Sequence, residues 1–165
     1  MPFAPPAATL EYWRTRGMEP ASDEDIATLE ARLGGKAPPA YVEFMKTYGS
    51  VEFDFDIDST FACVYEESGG QHRTLQTIGH IKRPDRALRY YEGWQKDAEV
   101  DLPAHLLPFA CDRSEGELLI EFGRPTGRIF YWDFDEHDWG SGITRIGFVA
   151  EDMYEFIREL TRYEG

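Results

Sequence analysis

Alternate carboxylates are the first groups in this chain that could do chemistry. Asp54-x-Asp56-x-Asp58 has the spacing that opens a calcium loop, in which successive oxygens wrap one hard cation. The rest of such a loop is missing: Ser59 stands where glycine must turn the chain, and Tyr65 where a bidentate glutamate closes the shell. Asp133-x-Asp135 fails at the same two places, with Asp138 and Thr144. His72, His80, His105 and His137 match no common zinc spacing. Cys63 and Cys111, the only cysteines, form no CxxC and sit in no nucleophile motif. GxSxG, Walker and GxGxxG loops are absent, and carboxylates are too numerous for one acid/base pair to stand out. The sequence therefore reads as a non-enzyme, with no catalytic residues, no metal and no cofactor.

Charge is the stronger signal. Seventeen Lys and Arg against 31 Asp and Glu leave a net charge of −14, spread along the chain. Such a protein repels phosphate backbones, so nucleic acid is not an expected partner. The stripe Phe130, Trp132, Phe134 has no flanking Lys or Arg and reads as core, not as a base-stacking platform. Trp139, in the loop DEHDWGSG, is either an anchor for a partner or a lid over the core.

The elements that must position these groups follow from periodicity. Ser22 and Asp25 have capping-box spacing, and Ile26, Leu29 and Leu33 share one helical face that ends at Gly34-Gly35. Pro38 and Pro39 fit a second helix start. Tyr41, Phe44, Met45 and Tyr48 then recur before Gly49. Val51, Phe53, Phe55 and Ile57 alternate with Glu52, Asp54, Asp56 and Asp58, which predicts a strand with one apolar and one acidic face. Extended segments are expected over residues 61–65 and 74–81, a helix from Pro84 carrying Leu88, Tyr91 and Trp94, and a Pro-bracketed connector from Leu102 to Phe109. Glu117 to Phe122 and Phe130 to Asp135 read as a strand pair about a turn at Arg124-Pro125-Thr126-Gly127, and Met153, Phe156, Ile157 and Leu160 as a last helix. This order predicts an α+β fold of one domain: a mainly antiparallel twisted sheet with helices packed on one face. Residues 1–20 read as a loose N-terminal arm with a docking patch at Leu10, Tyr12 and Trp13, and residues 21–165 as the domain. MPFAPPAATL lacks the basic start of a signal peptide and no run reaches membrane-spanning length, so a cytoplasmic protein with no membrane partner is expected.

The apolar, Pro and Gly pattern from Ile26 to Gly49, with LLPFACDRSEGELLIEF, GRIFYWDFDE and FVAEDMYEFIREL in that order, resembles the SUKH superfamily of Smi/Knr-like domains. The resemblance runs from about Ser22 to Leu160. It implies a protein-interaction function: many bacterial members are immunity proteins that bind and neutralise a cognate toxin, and such toxins are often basic. On that basis the expected partner is a basic toxin protein, held by stoichiometric binding. The candidate contact residues are Asp54, Asp56, Asp58, Asp133, Asp135, Glu136, Asp138 and Trp139. The alternative that the fungal relatives imply is a regulatory or scaffold interaction module without a toxin.

Overall fold

The computed structural model describes residues 3–67, 70–97, 102–114, 116–133 and 146–164. Local chemistry sets the helix ends. Helix α2 (Asp23–Leu33) starts on a complete capping box: the Asp25 N–H donates to Ser22 Oγ at 3.1 Å and the Ser22 N–H donates to the Asp25 carboxylate at 3.0 Å. It stops at Gly34, whose φ of 72° few other residues tolerate. Helix α3 (Pro39–Thr47) begins with proline, where the missing N–H leaves nothing unpaired. Ile26, Leu29 and Leu33 of α2 and Tyr41, Phe44 and Met45 of α3 are all buried, as their spacing predicts.

The N-terminal segment is not loose. Residues 7–16 form helix α1, and Trp13 is fully buried, edge-on to Phe44 at 5.7 Å and to Phe53 at 5.6 Å. A bridge between Glu19 and Ser50 then fastens the α1–α2 link beside the end of α3. That bridge requires glycine at position 49: with φ of 71°, a Cβ there would overlap the Glu19 carbonyl.

Seven strands follow. They are β1 (Val51–Glu52), β2 (Thr60–Glu67), β3 (Gly70–Ile81), β4 (Leu106–Asp112), β5 (Glu117–Glu121), β6 (Ile129–Trp132) and β7 (Ile146–Ala150), with α4 (Pro84–Lys96) after β3 and α5 (Met153–Arg158) last. Every pairing is antiparallel, in the order β1-β3-β2-β7-β6-β5-β4. A further pairing of β3 with β4, through Ile78↔Asp112 and Ile81↔Ala110, returns the ladder to its start. The fold is α+β with a single sheet curled on itself, which leaves few strand edges unpaired.

Two expectations need correction here. The acidic strand over 51–58 is a strand only at Val51–Glu52. Beyond it the Asp54 carboxylate accepts the Asp56 N–H at 2.7 Å, a side-chain turn that competes with ladder pairing, and the chain bends while Phe53 and Ile57 stay buried. The connector over 102–109 contains the start of β4. Pro108 is accommodated there because the β4–β5 register shifts between Pro108 and Ala110, where no ladder N–H is demanded of it. Strand β7 (Ile146–Ala150) lies where the sequence carries no strand signal of its own.

The pleat divides the core. Leu118 and Ile120 of β5 and Tyr131 of β6 face the main core under the helices, while Leu119 and Trp132 face the opposite side. There Trp94 of α4 packs on Trp132 with ring centroids 4.9 Å apart. Phe130 and Trp132 belong to this second cluster, and Phe134 lies outside the described residues. Urea denaturation should show Trp13→Ala losing about 3–5 kcal/mol, the range for a buried aromatic truncation. Ser22→Ala should lose only about 1 kcal/mol, the worth of one helix cap.

Candidate functional site

Asp54, Asp56 and Asp58 lie on the bend after β1, which is held by its own buried residues and by three other parts of the chain. Phe53 and Ile57 pin it to the core at 2% and 3% exposure. Tyr12 of α1 donates from its hydroxyl to the Asp54 carboxylate at 3.1 Å. Arg113, from the β4–β5 connection, donates to the Phe53 carbonyl at 2.9 Å and places its guanidinium 4.6 Å from the Phe55 ring. The C-terminal tail arrives through a bridge between Thr60 and Thr161, and Arg162 donates to the Asp56 carbonyl.

The result is an exposed aromatic pair among carboxylates. Phe55 and Tyr163 are 45% and 46% exposed, and their rings contact at 4.4 Å. Periodicity assigned Phe55 to the apolar strand face, and the bend turns it outward. Tyr163 carried no local signal, because only the Thr60–Thr161 bridge brings it to the loop. The Asp54 carboxyl is held below its usual range, chiefly by the Asp56 N–H, so it is ionised at neutral pH. Arg113 and Arg162 partly offset the charge of the three aspartates, so this patch is aromatic with a mixed rim.

Asp133 is placed elsewhere. It follows β6, half-buried, and its charge acts on Cys63 and Tyr131. Asp135, Glu136, Asp138 and Trp139 lie outside the described residues.

The thiols are poorly suited to nucleophilic work. Cys111 Sγ lies 3.2 Å from His80 Nδ1, its cross-strand partner. Burial pushes the Cys111 thiol up to about 11 and the Cys63 thiol up to about 12, and it lowers the His80 imidazole. An activated Cys–His pair needs shifts of the opposite sign on both partners. Among the described residues no group of three or more His, Cys, Asp or Glu is placed to hold a metal ion. None of their helices is long and apolar enough to cross a membrane.

Two glutamates of β5, Glu117 and Glu121, which alternate with Leu118 and Ile120, are buried. Glu117 is 3% exposed and pairs with Lys82, itself 1% exposed, which also donates to the Pro108 carbonyl at 3.3 Å and lies 3.9 Å over the Tyr90 ring. Glu121, 1% exposed, receives Arg128 at 2.6 Å and has Arg124 at 3.5 Å. The signal that could have found them is the unbroken apolar run Leu118-Leu119-Ile120 between them, which marks a strand covered on both faces.

Lys82→Met should destabilise the fold by about 3–5 kcal/mol, by leaving Glu117 buried without a partner. Lys82→Met with Glu117→Leu should recover most of that loss, both read from urea denaturation. Burial pushes the Glu117 carboxyl up from 4.5 to about 7, outweighing the pull of the Lys82 ammonium. The folded state therefore holds this proton more tightly than the unfolded state, a contribution complete below pH 4.5 and lost as pH rises through about 7. Across that window the stability of the wild type relative to Glu117→Gln should fall as pH rises.

No curated protein matches the chain. The family model described as SMI1 / KNR4 family (SUKH-1) matches residues 20–159, which takes in α2 through α5 and every strand of the sheet. The chain belongs to the SMI1/KNR4 family (SUKH-1).

Proposed function

We propose that this chain is an immunity-type protein that binds a toxin protein one to one and blocks it, with the contact centred on Phe55 and Tyr163. The observation that carries this reading is the exposed aromatic pair, in tilted ring contact, on the bend that carries Asp54, Asp56 and Asp58. Large aromatics with a polar rim are the usual energetic centre of a protein interface. Membership of the family supports an interaction role in place of catalysis. The net charge of −14 supports a basic partner: it raises the rate of encounter at low salt and opposes acidic competitors. Asp133, Asp135, Glu136, Asp138 and Trp139 form the second part of the proposed contact set.

The aromatic pair and the carboxylates divide the work. The rings supply buried contact area and set the dissociation rate, while the aspartates act at longer range and set the association rate. In the alternative reading, a regulatory module of the Smi/Knr kind, the same patch docks on a partner that is not toxic.

Co-expression with the product of the neighbouring gene tests the proposal. That product should arrest growth alone and be harmless beside this chain. Phe55→Ala with Tyr163→Ala should weaken the complex by about 2–4 kcal/mol and abolish protection. Asp54→Asn or Asp56→Asn should slow association several-fold and flatten its salt dependence, with little change in dissociation. A neighbour that is harmless by itself, or protection that survives loss of both rings, would sink the reading.

A further inference from the structure

In a protein with so few cations, Lys82, Arg83, Arg86, Arg89 and Lys96 fall on or beside one helix. Arg83, Arg86 and Arg89 line a groove of about 710 Å³ along α4, where Asp97 is the one carboxylate among the described lining residues. Tyr90, Gly93 and Trp94 also line it. Arg83 is engaged by Glu19 and Asp85, each at 3.3 Å. Arg86 and Arg89 make no ion pair with any described residue, although carboxylates outnumber cations nearly two to one in this chain.

Gly93 is the second observation. It sits inside α4, where glycine weakens a helix relative to alanine. Its backbone does not call for glycine: its φ is not positive, and a Cβ built there meets nothing within 4 Å. Among the described residues, neither packing nor conformation explains the missing side chain. What it does is leave the space between Tyr90 and Trp94 open.

We propose that the α4 groove binds an acidic peptide segment of a partner protein, whose carboxylates pair with Arg86 and Arg89 while an apolar side chain enters the space above Gly93. The stripe from Arg83 to Asp97 runs about 20 Å at 1.5 Å per helical residue, enough for about six residues of extended peptide. Guanidinium groups suit carboxylates because their planar forks pair with both oxygens. Distant charges do not forbid an acidic ligand: at physiological salt the screening length is about 8 Å, so the two nearest arginines outweigh the remote excess of carboxylates. A nucleic acid is a poorer fit, since two unpaired cations cannot offset a row of phosphates. The inference does not depend on the toxin reading, because it concerns a surface of opposite charge on a different element.

The test uses the full chain and a dye-labelled six-residue peptide alternating glutamate with leucine and phenylalanine, read by fluorescence polarisation at about 0.15 M salt. The glutamate peptide should bind at least tenfold more tightly than its glutamine counterpart. Arg86→Gln with Arg89→Gln should cost tenfold or more. Gly93→Leu should cost as much by filling the groove, while the thermal midpoint stays level or rises, which separates occlusion from misfolding. Equal affinity for the two peptides, binding unaffected by Gly93→Leu, or tighter binding of a single-stranded oligonucleotide of equal charge would each overturn the proposal. So would no binding of either peptide at concentrations up to about 1 mM.

Discussion

Strand β5 is covered on both faces, yet it begins and ends with glutamate. Two carboxylates out of water must be matched by cations in fixed positions, because an unmatched one costs several kcal/mol. Lys82, at the junction of β3 and α4, meets one end, and Arg128, in the connection from β5 to β6, meets the other. These pairs add little net stability over apolar residues of equal volume, but they penalise any other arrangement of the strands. The Lys82 pair ties the junction of β3 and α4 to β5 and, through the Pro108 carbonyl, to β4, and it seats α4 with Tyr90 beneath the Lys82 ammonium. A third buried carboxylate, Asp112, does the same for the β4–β5 connection, accepting the Ser114 and Gly116 N–H groups and the Tyr131 hydroxyl. Gly116 is required there because a side chain would displace the Tyr131 ring.

Much of this architecture was legible where local chemistry and tertiary packing agree. The capping box of α2, the proline start of α3 and their apolar faces needed no knowledge of the sheet. Alternation locates β5 and β6 but does not say that both of their faces are covered, so it gives no sign that Glu117 and Glu121 are buried. It failed outright after Glu52, because an aspartate that turns its own backbone leaves the same apolar/acidic spacing as a strand does. β4 was hidden by Pro108, which looks like a strand breaker until the register shift beside it is known. The aromatic patch was the least legible feature: Phe55 and Tyr163 are separated by most of the chain, and no local pattern links them.

The two surfaces carry opposite signs and rest on different elements. One is a bend joined by α1, the β4–β5 connection and the C-terminal tail; the other is a single helix with a glycine in its outer face. On that helix Arg86 and Arg89 make no ion pair with any described residue, although the chain carries 31 carboxylates.

The bridge between Thr60 and Thr161 also has a meaning in time. Arg162 and Asp56 are 106 positions apart in sequence, so closing this contact orders a very long loop and must follow the more local pairings. During synthesis the bend at Phe55 leaves the ribosome long before Tyr163 exists. The assembled patch is thus a property of the finished chain alone, and nascent or truncated copies present only half of it.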